Sequence, residues 1–288
     1  MWKSSVLGIF SLFSASTMFG ATIYLTNTAN TLLRIDSATP GVIAASVGIT
    51  GLQSGEVLQG IDFRPFNGVL YGIGSTSRIY SLNVTTGAAT QIGSAGLFTL
   101  SGTNFGVDFN PVPDRIRVTS NTGQNLRLNP NDGTLSATDT ALAYAAGDAN
   151  AGQTPGVVAS AYTNSFAGAS STTLYNIDAA RGVLAIQNPP NNGTLTTIGN
   201  LGVFTTNRVG FDILGGSGTA FASLTSAGDV SSLYTINLAT GAATLVGGIG
   251  TGQTITGLAA VSDVPEPGTL SLVVAGAVAA LLSKRKRQ

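Results

Sequence analysis

Residues 79–90 read IYSLNVTTGAAT, and residues 233–247 read LYTINLATGAATLVG. Both run through alternating apolar positions to an Asn, then to a Gly, then into a second alternating run. Period-two alternation marks a strand with one buried face. An Asn or Asp side chain can bond the backbone that follows it, and Gly supplies positive φ at the reversal. Each stretch therefore predicts strand, turn, strand. Three more copies occur: LLRIDSATPGVI (32–43), LRLNPNDGTLS (126–136) and LYNIDAARGVL (174–184). Measured between Asp36, Asn83, Asn129, Asp178 and Asn237, the copies lie 47, 46, 49 and 59 residues apart.

A second motif is a short apolar strand after a Gly-rich turn: GIDF (60–63), GVDF (106–109), GVVA (156–159), VGFDI (209–213) and TGLAAV (256–261). A third lies between the other two, as in VLYGI (69–73), RIRVT (115–119) and AFASL (220–224). About four short strands per repeat of nearly 50 residues is the size of a propeller blade. The hairpin motif and the inner-strand motif each occur five times, out of phase at the two ends. The first hairpin has no inner strand before it, and Ile255–Val261 has no hairpin after it. Joined, they complete one blade and leave no open sheet edge. The expected fold is therefore all-β: a five-bladed propeller over residues 22–262, closed by pairing of its N- and C-terminal strands. A six-bladed ring needs a sixth copy that the chain lacks. An open β-solenoid is the competing architecture, but its rungs repeat at half this length or less.

Composition excludes several kinds of chemistry. The chain has no histidine and no cysteine, so His/Cys zinc sites and Ser-His-Asp or Cys-His nucleophiles cannot form. Its three lysines, Lys3, Lys284 and Lys286, all lie near the termini. Between Thr22 and Asp263 there are eight Arg, eleven Asp and one Glu, a net charge of −4. Such a body is a poor match for a phosphate backbone, and nucleic acid is not an expected partner. The Gly-rich stretch 247–254 carries Gln253 where a phosphate loop needs lysine, and reads as a turn region. No cofactor is required by any motif.

The two ends read as targeting segments. Lys3, the apolar run VLGIFSLF (6–13) and small residues up to Ala21 form a secretory signal helix over residues 1–21. The chain ends VPEPGTLSLVVAGAVAALLSKRKRQ. Its uncharged run, 268–282, would span about 22 Å as a single hydrophobic helix, short of a bilayer core of about 30 Å. The basic tip Lys284–Arg287 favours the cytoplasmic side, with the bulk of the chain outside. Val264, Pro265, Glu266 and Pro267 followed by that run and tip resemble the PEP-CTERM sorting signal of exported bacterial proteins. The resemblance implies recognition by an exosortase-type membrane protease after passage through the secretion machinery. It also implies residence in the cell envelope or outside the cell, with the helix anchoring the chain transiently or permanently. The body, through Asn104–Val118 and the spaced LY-[IL]-[ND] repeats, resembles exported propeller-like domains grouped as domain of unknown function 4394. That resemblance implies a fold and no activity.

Three inner-strand motifs place an Asp near the repeat Gly: Asp62, Asp108 and Asp212, with Val158 and Ala259 as the matching positions in the other two blades. Carboxylates at one height on different blades would raise one another's pKa unless a cation lay between them. One reading is a Ca²⁺ or sugar site near the axis. The other is that each Asp bonds backbone N–H groups between blades. Arg64, Arg115 and Arg117 are expected to partner Asp62, Asp108 and Asp114 at partly buried edges. Glu56, the one Glu of the body, could pair with Asp62 or Asp108 in a glycan hydrolase. The expected function is a non-enzymatic cell-surface or matrix protein. A carbohydrate- or ion-binding module and a hydrolase are the alternatives, with extracellular polysaccharide as the candidate partner.

Overall fold

The computed structural model describes residues 20–261. The expected signal helix, Val264–Pro267 and the C-terminal helix lie outside the described residues. In chain order the first sheet contains β1 (Thr22–Asn27), β2 (Thr31–Asp36) and β3 (Ile43–Gly48). The second contains β4 (Leu58–Phe63), β5 (Leu70–Gly74), β6 (Arg78–Leu82) and β7 (Ala89–Ile92). The third contains β8 (Phe105–Asn110), β9 (Arg115–Ser120), β10 (Asn125–Leu128) and β11 (Leu135–Thr138). After the two-residue β12 (Ala143–Tyr144), the fourth is built from β13 (Val157–Tyr162), β14 (Leu174–Asp178), β15 (Val183–Gln187) and β16 (Thr194–Asn200). The fifth contains β17 (Val209–Ile213), β18 (Ala220–Thr225), β19 (Ser231–Ile236) and β20 (Ala243–Gly248). The last strand, β21 (Ile255–Val261), pairs antiparallel with β1, with Thr22 opposite Val261 and Tyr24 opposite Ala259. It becomes the innermost strand of the first sheet, whose order is β21-β1-β2-β3. Five blades result, closed by the two ends of the folded body.

Each blade adds its strands from the axis outward. The inner strands β21, β4, β8, β13 and β17 pack side by side in that order and return to β21. The fourth blade departs from the pattern: β12 pairs parallel with β16 as a fifth, outermost strand. Nothing in the period-two pattern announced a two-residue parallel strand.

The hairpin motif folds as its chemistry dictates. Asn83 Oδ1 accepts the N–H groups of Thr85 and Thr86 at 2.9 and 3.0 Å, and Asn237 repeats this with Ala239 and Thr240. Gly87, with φ 75°, closes the turn and also docks it. A Cβ there would lie 2.3 Å from the Gly48 carbonyl oxygen at the end of the preceding blade's outer strand. The turn glycine therefore serves the join between blades as well as the reversal.

Glycine at the axis answers a different need. At Gly60, Gly106, Gly210 and Gly257 φ is ordinary, but a Cβ would fall 2.3–2.8 Å from atoms of the adjacent strand or blade. The nearest atoms are Val107 Cγ2, Ser160 Oγ, Leu258 Cβ and Thr26 Oγ1. Five inner strands meet on a narrow ring, and bare backbone lets them close. This approach carries the residue two positions on, Asp in three blades, toward the axis.

Apolar clusters fill the seams between blades. Leu32 and Ala259 meet Ile61 and Leu70; Tyr71 and Ile79 meet Val107 and Ile116. Ile177 and Leu184 meet Phe211 and Ala222, and Phe221 and Leu233 meet Ile23 and Leu258. Between the third and fourth blades the seam instead carries a buried polar chain running Thr119–Ser160–Asn176–Gln187–Asn125–Arg117. Arg117, 1% exposed, is the largest fully buried side chain of the described residues.

Candidate functional site

The inner strands run in one direction, so the axis has two distinct mouths. At the end where these strands finish, the structure brings Asp62, Asp108 and Asp212 together. Their carboxylate oxygens lie within 4.8 Å of one another, and all three residues are buried. Each reaches the neighbouring blade. Asp62 Oδ2 accepts the N–H of Phe109 at 2.7 Å, Asp108 Oδ1 that of Tyr162 at 3.1 Å, and Asp212 Oδ2 that of Ala260 at 2.7 Å. Ala260 follows Ala259, so Ala259 is the equivalent position of the first blade.

The fourth blade requires a correction. The equivalent of Asp62 is Ala161, not Val158. Ala161 faces Tyr175 in the ladder as Asp62 faces Tyr71 and Asp108 faces Arg117. Val158 lies three residues earlier, at the opposite mouth. Aligning on Gly156 misplaced the motif, because this strand carries Ala159 at the axial Gly position and a register shift between Val157 and Ala159.

The electrostatics follow from burial and crowding. Burial, then the Asp212 charge, pushes Asp62 well above the usual carboxylate range. Burial, then Asp62 and Asp212, does the same to Asp108. Burial raises Asp212 to about 6, against the N–H groups of Ala260 and Ile213 that favour its charged form. Protons held by the folded state and released by the unfolded chain stabilise the fold at low pH. This contribution is complete below the unfolded pKa of about 3.9 and is lost as pH rises through the folded values. In EDTA-containing buffer, the melting temperature is therefore expected to fall between pH 5 and pH 8. The Asp62→Asn, Asp108→Asn double variant keeps an amide oxygen for each N–H donor and is expected to flatten that decline. A wild-type profile level or rising over this range would refute the assignment.

The other candidates are placed elsewhere. Glu56 is buried off the axis, where its carboxylate accepts the Tyr80 hydroxyl at 2.5 Å, the N–H groups of Thr76 and Gln53 at 3.1 and 3.2 Å, and the Thr76 hydroxyl. Burial raises it, but these bonds outweigh burial and hold it below the usual range. It precedes β4, while Asp62 sits near the other end of that strand, roughly 13 Å beyond Leu58 at about 3.3 Å per residue. The hydrogen-bond partners of Glu56, which are Gln53, Thr76 and Tyr80, are not shared with the axial acids, which bond Phe109, Tyr162 and Ala260. The arginines also take other partners. Arg64 holds Asp114 through both carboxylate oxygens and Asn131 Oδ1 at 2.8 Å. Arg115 donates to the carbonyls of Pro113 and Asp114. Arg117 holds Asp139 at 2.5 Å. Of the expected pairings only the one involving Asp114 forms, with Arg64 by its side chain. Asp139 was not visible as a partner, because it meets Arg117 only after the blade has folded.

A second mouth opens where the inner strands begin. It is a cavity of about 540 Å³ with an apolar floor that includes Leu58, Phe105 and Val209. Its rim carries Gln59, Asn104, Asn207 and Arg208. These residues come from inner-strand starts and linkers of different blades and share no sequence motif.

The family model described as domain of unknown function (DUF4394) matches residues 31–259. The chain belongs to this family. The model of the PEP-CTERM protein-sorting motif matches residues 263–287. The protein is thus exported, sorted at its C-terminus and recognised there by an exosortase, a membrane processing enzyme. No curated protein matches the chain. Similar solved structures include dihydro-heme d1 dehydrogenase NirN, at 12% identity and TM-score 0.38, covering 78% of this chain and 43% of that one. Glutaminyl cyclase of Myxococcus xanthus is similar at 12% identity and TM-score 0.43, with 69% of this chain and 88% of that one covered. A Bacteroides thetaiotaomicron protein of unknown function shows 17% identity and TM-score 0.47, with 83% and 63% covered. The chain spans less than half of the first of these and less than two thirds of the third.

Proposed function

We propose that this family member is a non-catalytic binding disc of the cell surface or its surrounding matrix, in which the axial carboxyls clamp the blades. One observation carries the reading: each axial Asp accepts a backbone N–H from the next blade while buried. Groups fixed in this way hold the ring closed, and the open mouth at the other end is left for a ligand. Val261, the last described residue, borders the carboxylate mouth. Residues 262–267 reach at most about 20 Å, so an attached tail keeps that face toward the membrane and the other mouth away from it.

The ion-binding reading rests on the convergence of three carboxylates within 4.8 Å. Calcium takes six to eight oxygen ligands, and here the backbone groups aimed at the carboxylates are N–H donors. Two measurements on the exported protein separate the readings. Millimolar CaCl₂ is expected to leave the melting temperature at pH 7 unchanged relative to EDTA. Matrix polysaccharides are expected to retain the protein without release of reducing ends. A calcium-dependent rise in melting temperature would replace the clamp with a metal site. Released reducing sugar, lost in Asp108→Asn, would replace the binding disc with a hydrolase.

A further inference from the structure

The chemistry of the outward mouth points to a ligand class. Its lining residues include neither Asp nor Glu, in a body that carries twelve acids against eight arginines. The one charged residue among them is Arg208. Its contact with Asp229 is long, 3.9 Å, between side chains 42% and 67% exposed. A pair of that kind is weak and leaves the guanidinium available to another anion. The side-chain amides of Gln59 and Asn207 make no hydrogen bond within the described residues, and the Asn104 amide donates none. The cavity falls inside the range of about 300–1,000 Å³ usual for small-ligand sites.

Amides and hydroxyls both donate and accept, as sugar hydroxyls do. The apolar floor can lie against the C–H face of a ring. A guanidinium fork matches a planar carboxylate with two parallel hydrogen bonds. A nucleotide or polyphosphate would call for more than one cation. We infer that this mouth binds an acidic saccharide, a chain of uronate units, with the carboxylate on Arg208 and the hydroxyls on Gln59, Asn104 and Asn207. The inference rests on the binding-disc reading and names the ligand of that disc.

The test is calorimetric titration of the exported protein with trigalacturonate, and with maltotriose as the neutral counterpart. Trigalacturonate is expected to bind saturably and more weakly as salt rises, with maltotriose at least about tenfold weaker. Arg208→Gln is expected to weaken trigalacturonate by about tenfold or more while leaving maltotriose and the melting temperature unchanged. Asn207→Ala is expected to weaken both. Binding of neither sugar, equal binding of both, or an Arg208→Gln variant with undiminished affinity would overturn the proposal. If maltotriose alone binds, the acidic class fails and the binding disc stands. If trigalacturonate is cleaved, the binding disc itself fails.

Discussion

Asp139→Ala is expected to lower the melting temperature at pH 7 by roughly 6–20 °C, a loss of about 3–5 kcal/mol. Asp139 is the common anion of Arg117 and Arg127, at 2.5 and 2.8 Å. Its side chain is 6% exposed and that of Arg117 is 1% exposed. Without the carboxylate, Arg117 keeps a buried charge with only neutral acceptors: Asn125 and Asn191 at 2.8 Å and Tyr162 at 3.2 Å. An uncompensated buried cation is among the largest single-site penalties known. The location compounds it. Here the third and fourth blades are joined by the buried polar chain, where the other seams hold apolar clusters. Burial pulls the Asp139 carboxyl upward, but the bonds from Arg127 and Arg117 outweigh it and hold the pKa below the ordinary value. This stabilisation is present above about pH 4 and is lost as the pH falls through the folded value. Asp229→Asn is the control, because its pair with Arg208 is exposed and long and Asn tolerates the positive φ of 59° at this position; its effect is expected below about 1 kcal/mol. Scanning calorimetry of the two variants decides the matter. An Asp139→Ala variant as stable as Asp229→Asn would show that the buried pair does not hold the seam.

Much of this architecture was legible because its determinants are local and repeat. The Asn83–Gly87 turn is written in five residues and recurs. The axial Gly-x-Asp reads as a strand start, and its repetition marked three carboxylates at one height. Where a blade departs from its siblings, the motif misleads. Ala159 replaces the axial Gly, so Gly156 sets Val158 in the place that Ala161 occupies. What stayed hidden depends on contacts made across blades. Asp139 follows β11 and meets Arg117 from β9 with Asn191 from the next blade, and no spacing announces the junction. The outward mouth is likewise assembled from residues as distant as Thr28, Asn104 and Asn207. Each looks like an ordinary polar residue until the ring gathers them.

That gathering depends on closure by β21 against β1, and a disulfide tests it most directly. The chain has no cysteine, so a Thr22→Cys, Val261→Cys pair has no competing thiol. These residues are cross-strand partners in the antiparallel ladder. Cα atoms of such partners lie about 4.5–5.5 Å apart, within the range a disulfide spans. The bond would link the two ends of the folded body and stabilise it by about 3–5 kcal/mol, chiefly through the unfolded chain. At about 2–4 °C per kcal/mol, this is a rise of roughly 6–20 °C that a reductant abolishes. The closed ring is expected to give a monomer that oxidises rapidly and fully, with non-reducing electrophoresis showing a compact band and calorimetry showing that rise. Thiols that stay free in the folded protein, or that link only between molecules, would contradict the closed ring.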